Sequence, residues 1–162
     1  MDRIIKLVET LTRPGTAEVV KYLKKGSFAT REGGSTHHKY AGGLVAHSLE
    51  VYEYMKEKSE GLGFSEESII ICSLFHDLGK VKGHHNHHEH SVEILDRCGF
   101  ELTDDERYAI LNHHNVWGDM DMSSLYRVLQ RSDMKSTGEW RDAHEGKKDS
   151  PWADLLKAFR EM

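Results

Sequence analysis

Of the 12 histidines in this 162-residue chain, 11 fall between His37 and His114. Several stand where the surrounding apolar pattern demands burial. His47 comes three residues after Leu44 and four before Val51, so it shares their inward helical face. His76 follows Ile69, Cys72 and Ser73 on another inner face, His87 shares one with Ser91, Ile94 and Leu95, and Asp133 lies four residues after Leu129. A buried carboxylate without a partner is costly, and imidazoles and carboxylates projecting inward from separate helices form a cage for a divalent metal. Each residue has a plainer reading when taken singly. An inward histidine is often a hydrogen-bonded core residue, Asp133 has Arg127 and Arg131 nearby in sequence, and the run from His84 to His90 reads equally as a solvated loop that collects metal adventitiously. Their joint occurrence on successive helices favours a shared ion.

The elements that position these residues read as helices. Two prolines and almost no apolar–polar alternation leave little room for strands. Ile4, Ile5, Leu7, Val8 and Leu11 make one apolar stripe, Pro14-Gly15 stops it, and Thr16 is expected to cap a second helix, the pair spanning residues 3–24. Residues 26–40 lack periodicity and read as a loop. A helix follows over about 43–60, ended by Gly61 and Gly63. Ser65 caps the next, with Glu66 and Glu67 at its positive end. Residues 79–83 are a turn, a helix reaches Cys98 before Gly99, and Thr103 with Glu106 forms a capping box for a helix ending near His114. Leu125, Val128, Leu129 and Ser132 mark another helix past Asp133. Pro151 opens a C-terminal helix over 150–160, and residues 137–149 are a polar loop. The expectation is an all-α, single compact bundle of about seven to eight helices spanning 1–162, with the metal-binding core at about 35–137 and the terminal helices packed on it.

Composition excludes several classes. With 38% hydrophobic and 30% charged residues the chain is globular, and a net charge of -5 gives no general attraction to nucleic-acid backbones. Duplex nucleic acid is therefore not an expected partner, whereas a small phosphorylated molecule is. The two cysteines, Cys72 and Cys98, imply no disulfide framework. No signal-peptide layout and no run of about 18 apolar residues occurs, so a cytoplasmic setting without membrane contact is expected. Oligomeric state and the roles of Trp117 and Trp140 are not legible.

The strings GGLVAHSLEV (residues 42–51), HDLGK (76–80) and VLQRSDMKS (128–136) resemble the ordered His, His-Asp, Asp signature of the HD-domain phosphohydrolases. The resemblance covers roughly residues 35–137. It is nearest to small stand-alone HD proteins of bacteria and phages and to the HD domain of bacterial 3'-to-5' exoribonucleases, whose HHxYxxGLxxH stretch is similar to residues 37–47. No counterpart of the exoribonucleases' oligonucleotide-binding domain occurs in these residues, so processive RNA degradation is not expected. The resemblance implies that His47, His76, Asp77 and Asp133 hold a primary metal. It implies that His87 and His113, with His114 beside them, are the additional ligands of two-metal members, Asp77 then bridging. With one metal, His87 and His113 serve instead as phosphate ligands or proton donors. Ala46 and Asn115 depart from the family, where a glutamate often stands, which bears on substrate class.

The implied reaction is hydrolysis of a phosphate ester or anhydride, of a nucleotide or similar molecule, by metal-bound hydroxide. One or two divalent ions are implied. Histidine and carboxylate donors suit Mn, Fe, Ni, Co or Zn better than an all-oxygen site suited to Mg, although mixed sets also accept Mg. Asp77 and Lys80 are the expected catalytic residues, Lys80 neutralising charge on phosphoryl oxygens; its plainer reading is a solvated turn lysine. His37, His38 and Tyr40, in the loop entering the first metal helix, are expected to contact phosphate or base, with packing as their alternative. Two other functions fit the same ligand pattern: an HD-type di-iron oxygenase, which Lys80 disfavours, and a non-catalytic nucleotide-binding protein, which intact ligands disfavour.

Overall fold

The computed structural model describes residues 1–34, 36–115, 121 and 123–138. Among them are seven α-helices and two short 3₁₀ turns, with no strand, as expected for an all-α helical bundle. In chain order the helices are α1 (Asp2–Val8), α2 (Thr16–Lys25), α3 (Gly43–Lys58), α4 (Glu66–Phe75), α5 (His87–Arg97), α6 (Asp104–Asn112) and α7 (Leu125–Thr137); the 3₁₀ turns are Ser27–Thr30 and Leu78–Lys82.

Helix α4 is the centre. Ile69, Ile70, Ile71, Cys72, Leu74 and Phe75 are all buried, and a helix apolar on every face has to be enclosed by others. Helices α1, α3 and α6 surround it, α7 packs on α3 and α6, and α5 lies against the 3₁₀ turn Leu78–Lys82. The core is one cluster running from Ile4 to Leu129. Among the described residues no helix is long and apolar enough to cross a membrane.

Helix ends follow local chemistry. Ser65 accepts from Ser68 N–H at the start of α4, and Thr103 and Glu106 form the reciprocal box at the start of α6. Thr16 does not cap α2: its hydroxyl donates back to Arg13 O at 2.8 Å, and Gly15 holds the cap position without a side-chain bond. The segment expected to be an unbroken loop contains the turn Ser27–Thr30, which buries Phe28. Helix α3 stops at Lys58, ahead of Gly61 and Gly63. The expected helix over 150–160, Trp117, Trp140 and all but the start of the 137–149 loop lie outside the described residues.

A second polar feature ties the chain's beginning to this core. Arg13 donates from Nη2 to Glu106 Oε1 at 2.9 Å and from Nη1 to Glu106 Oε2 at 3.0 Å. Ser68 Oγ adds a bond to Oε1, and Thr103 N–H one to Oε2, each 2.8 Å. The Arg13 Nε–H reaches Glu67 Oε2 at 3.0 Å. Glu106 is fully buried, yet every lone-pair direction of its carboxylate has a donor. Burial alone would raise its pKa; the bonds from Arg13, Thr103 and Ser68 outweigh that and hold it below the usual glutamate value.

Candidate metal centre

Each ring and carboxylate of the centre sits where a helix begins, ends or turns inward. His47 lies inside α3 and faces the core with Leu44 and Val51. His76 is the residue that ends α4, and Asp77 follows at φ -105°, ψ 7°, opening the 3₁₀ turn. That bridge region of backbone space is sparsely used and recurs at active sites. His87 starts α5, His113 ends α6, and Asp133 comes from α7.

The side chains converge. His47 Nε2 lies 3.2 Å from His76 Nε2, 3.2 Å from Asp77 Oδ2 and 3.1 Å from Asp133 Oδ1. His76 Nε2 is 3.5 Å from Asp77 Oδ2 and 3.7 Å from Asp133 Oδ1. The other carboxylate oxygen of Asp77 faces away, with Oδ1 at 3.0 Å from His87 Nε2 and 3.6 Å from His113 Nε2. His114 Nε2 is 3.0 Å from His87 Nε2, and Asp77, His87, His113 and His114 form a second group of donor atoms within 4.8 Å of one another. Asp77 thus presents one oxygen to each group.

Hydrogen positions decide what these contacts mean. His76 Nδ1 is 2.9 Å from Ser73 O, His87 Nδ1 2.7 Å from His84 O, and His113 Nδ1 2.7 Å from Ile110 O. A carbonyl only accepts, so each Nδ1 carries a hydrogen and Nε2 is the nitrogen each ring turns to the centre. The carbonyls are free to do this because the last turn of a helix leaves its carbonyls without intrahelical partners; Ser73 and Ile110 lie in the last turns of α4 and α6, and His84 precedes α5. Ring Nε2 atoms and carboxylate oxygens therefore face one another. Asp77 Oδ1 and His113 Nε2 are buried with no hydrogen-bond partner.

That arrangement fits a cation. Metal–ligand bonds of about 2.1 Å separate neighbouring donors by about 3.0 Å at right angles and about 3.4 Å at tetrahedral angles, and the contacts above span 3.0–3.7 Å. His47, His76, Asp77 and Asp133 would hold one ion, and Asp77, His87 and His113, with His114, a second. In the metal-free protein, protons substitute in part. Burial would lower the pKa of His47, but its bonds to Asp133 and Asp77 outweigh this and raise it to about 9. Burial opposes charge on Asp77 too, yet the neighbouring His76 and Lys80 hold its carboxyl well below the usual range. Asp133, likewise buried, is held low by His47 and His76.

Lys80 is buried and is no solvated turn residue. Its Nζ lies 2.5 Å from Asp77 Oδ2 and donates to Gly33 O at 2.6 Å, which ties the loop before α3 to the centre. His37 and His38 stand over His47, each ring centroid 5.4 Å from that of His47. Burial, with the cationic His47 and Lys80 nearby, lowers the pKa of His37 to about 4. Tyr40 is 53% exposed, with its ring 6.3 Å from that of His38, and so lies outside the cluster.

Two glycine pairings make the convergence possible. A Cβ on Gly79 would lie 2.0 Å from His87 O and 2.7 Å from Ser91 N, so the 3₁₀ turn rests directly on the first turn of α5. Ser91 Oγ accepts from Gly79 N–H at 2.8 Å and stands 2.8 Å from the carbonyls of both His76 and His87. A Cβ on Gly43 would collide with His38 O at 1.9 Å, while Gly42 takes the left-handed φ of 85° that opens α3. Sequence reasoning missed Ser91, Gly33, Glu50 and Ser136 as supports of the site. Ser136 and Glu50 carried a signal: they stand three residues beyond Asp133 and His47 on the same helices.

Comparison with known proteins agrees with this geometry. The chain is 24% identical over 109 residues to a protein named Ribonuclease Y from Mycoplasma genitalium, covering 65% of this chain and 22% of that one. It is 29% identical over 105 residues to Ribonuclease Y from Mycoplasma pneumoniae, covering 62% and 20%. The chain spans about a fifth of the length of these curated relatives. No solved structure matches significantly. The family model described as HD domain matches residues 44–138, which hold all the ligand candidates from His47 to Asp133, and the chain belongs to the HD domain family.

Proposed function

We propose that this protein is a metal-dependent phosphohydrolase acting on a phosphate ester or anhydride of a nucleotide or similar small phosphorylated molecule. The observation that carries the reading is Asp77: a buried carboxylate with one oxygen facing His47, His76 and Asp133 and the other facing His87 and His113. Divalent ions in such a donor set supply Lewis acidity and bring the pKa of water toward neutrality. The chain's own residues do the rest. Asp77 spans the two donor groups and fixes their spacing. Two protons of the Lys80 ammonium are engaged by Asp77 and Gly33 O, and its third is left for a phosphoryl oxygen. His37 and His38, above His47, orient the substrate, with Tyr40 at the exposed rim. The relatives named as ribonucleases act, by that name, on RNA, whose phosphodiester is the same class of bond. A net charge of -5 favours a small substrate over a long polyanion.

The test is a panel of nucleotides incubated with Mn, Co or Ni, scored for phosphate or pyrophosphate release. Release by the wild type and none by Asp77→Ala is expected. Metal demonstrably bound with no release from any member of the panel, or oxygen consumption with Fe(II) in its place, overturns the reading.

A further inference from the structure

His47 differs from His76, His87 and His113 in how its ring is held. His76, His87 and His113 each donate Nδ1–H to the main-chain carbonyl three residues earlier, at or outside a helix end. His47 sits inside α3, where main-chain carbonyls are occupied by the helix's own bonds. Its Nδ1 is instead 3.0 Å from Ser136 Oγ of α7. Ser136 in turn donates to Glu50 Oε2 at 2.8 Å, and the same Oε2 lies 3.1 Å from His38 Nε2.

The protons in this chain have one consistent placement. An ionised carboxylate only accepts, and Ser136 has a single hydroxyl proton, which goes to Glu50. Ser136 Oγ is then an acceptor toward His47, so His47 Nδ1 carries a hydrogen and Nε2 is the nitrogen turned inward, the one that would give up its proton to an ion. The other end of the chain is equally constrained: His38 donates Nε2–H to Glu50, at a residue held at the left-handed φ of 48°. That backbone conformation is uncommon for a residue with a side chain, and the Glu50 contact offsets part of its cost. Glu50 thus joins the loop over the site to the ring of a ligand.

We propose that Ser136 and Glu50 are positioning residues of the metal centre: they fix the tautomer and orientation of His47 and, through His38, hold the 36–40 loop against it. This rests on the metal-binding part of the functional reading and is independent of which substrate is turned over. Partners that orient a ligand histidine in this way typically contribute about 10–100-fold to metal affinity. Neither residue belongs to the groups of donor atoms that would hold an ion, and Glu50 is 46% exposed.

The experiment is titration of the metal-free 162-residue chain with Co(II), read by the visible ligand-field spectrum and by the affinity of each site, alongside its thermal melting. Ser136→Ala is expected to weaken one Co(II) site by about 10–100-fold and alter its spectrum, with melting of the metal-free protein unchanged. Ser136→Thr, which keeps the hydroxyl, restores both readouts. Glu50→Ala weakens the same site by about tenfold or less, because Ser136 remains to accept from His47. Wild-type affinity and spectrum in Ser136→Ala would overturn the proposal while leaving the metal centre intact. Equal loss in Ser136→Ala and Ser136→Thr with a lowered melting point would overturn it as well. No Co(II) uptake by the wild type would remove both the proposal and the metal centre, a failure distinguishable from a missing substrate.

Discussion

The Arg13–Glu106 node and the histidine–aspartate centre both bury charge in the same small bundle, yet only the first closes on itself. Glu106 has a donor at every lone-pair direction, from Arg13, Ser68 and Thr103. In the centre, ring nitrogens face carboxylate oxygens, and Asp77 Oδ1 and His113 Nε2 are left without hydrogen-bond partners. A completed buried network holds elements together, whereas one that leaves buried polar atoms without partners has room for a further cation. The difference separates a closed structural cluster from a candidate metal centre even though both have displaced titrations.

Substitutions can break that contrast from either side. The largest effect is expected for Asp77→Ala, which removes the oxygen offered to each donor group. Both ions should be lost, with affinity falling by more than about 100-fold, beyond the range for residues that only orient ligands. Elemental analysis after gel filtration checks this, and one ion retained at wild-type affinity would show the two groups to be independent.

Glu106→Ala attacks the closed network. It leaves the Arg13 guanidinium without its bidentate partner and should destabilise the fold by about 3–5 kcal/mol in urea unfolding. The affinity of the folded fraction for metal should not change. A selective loss of metal without loss of stability would erase the distinction between the two regions.

The smallest effect is in pH. Because Glu106 has a lowered pKa when folded, its stabilisation is fully present above its ordinary pKa of about 4.5 and is lost as pH falls through the folded value. The stability gap between wild type and Glu106→Gln, measured on metal-free protein, should therefore narrow as pH drops below about 4.5. A gap that is constant or widens on acidification contradicts the assignment. Taking the difference between the two proteins removes the titration of the metal ligands, which both share.

The two regions also differed in how far sequence alone revealed them. His47, His76, His87 and Asp133 were legible because each lies at helical spacing from buried apolar neighbours, and a polar residue on such a face announces itself. Asp77 was not legible from periodicity, since it follows the end of α4; only the HDLGK string marked it. The capping box at Thr103 and Glu106 was readable from four adjacent residues. The partner that makes Glu106 a structural hub, Arg13, is 93 positions away, and nothing local to either residue encodes the pairing. Ser136 and Glu50 fall between these cases, being in register with ligands on their own helices but joined to each other across 86 positions. Thr16 was misread because a threonine after Pro-Gly satisfies the cap pattern, while its hydroxyl turns back to the preceding turn.

Gly79 has a consequence for how such a scaffold changes over time. The interval between the two sets of donors is set by main chain pressed on main chain, where the turn after Asp77 meets the start of α5. Exchanging side chains at the rim of the site leaves that backbone contact in place. The loop around the rim is thereby free to diverge, while any residue larger than glycine at position 79 would wedge the two donor groups apart.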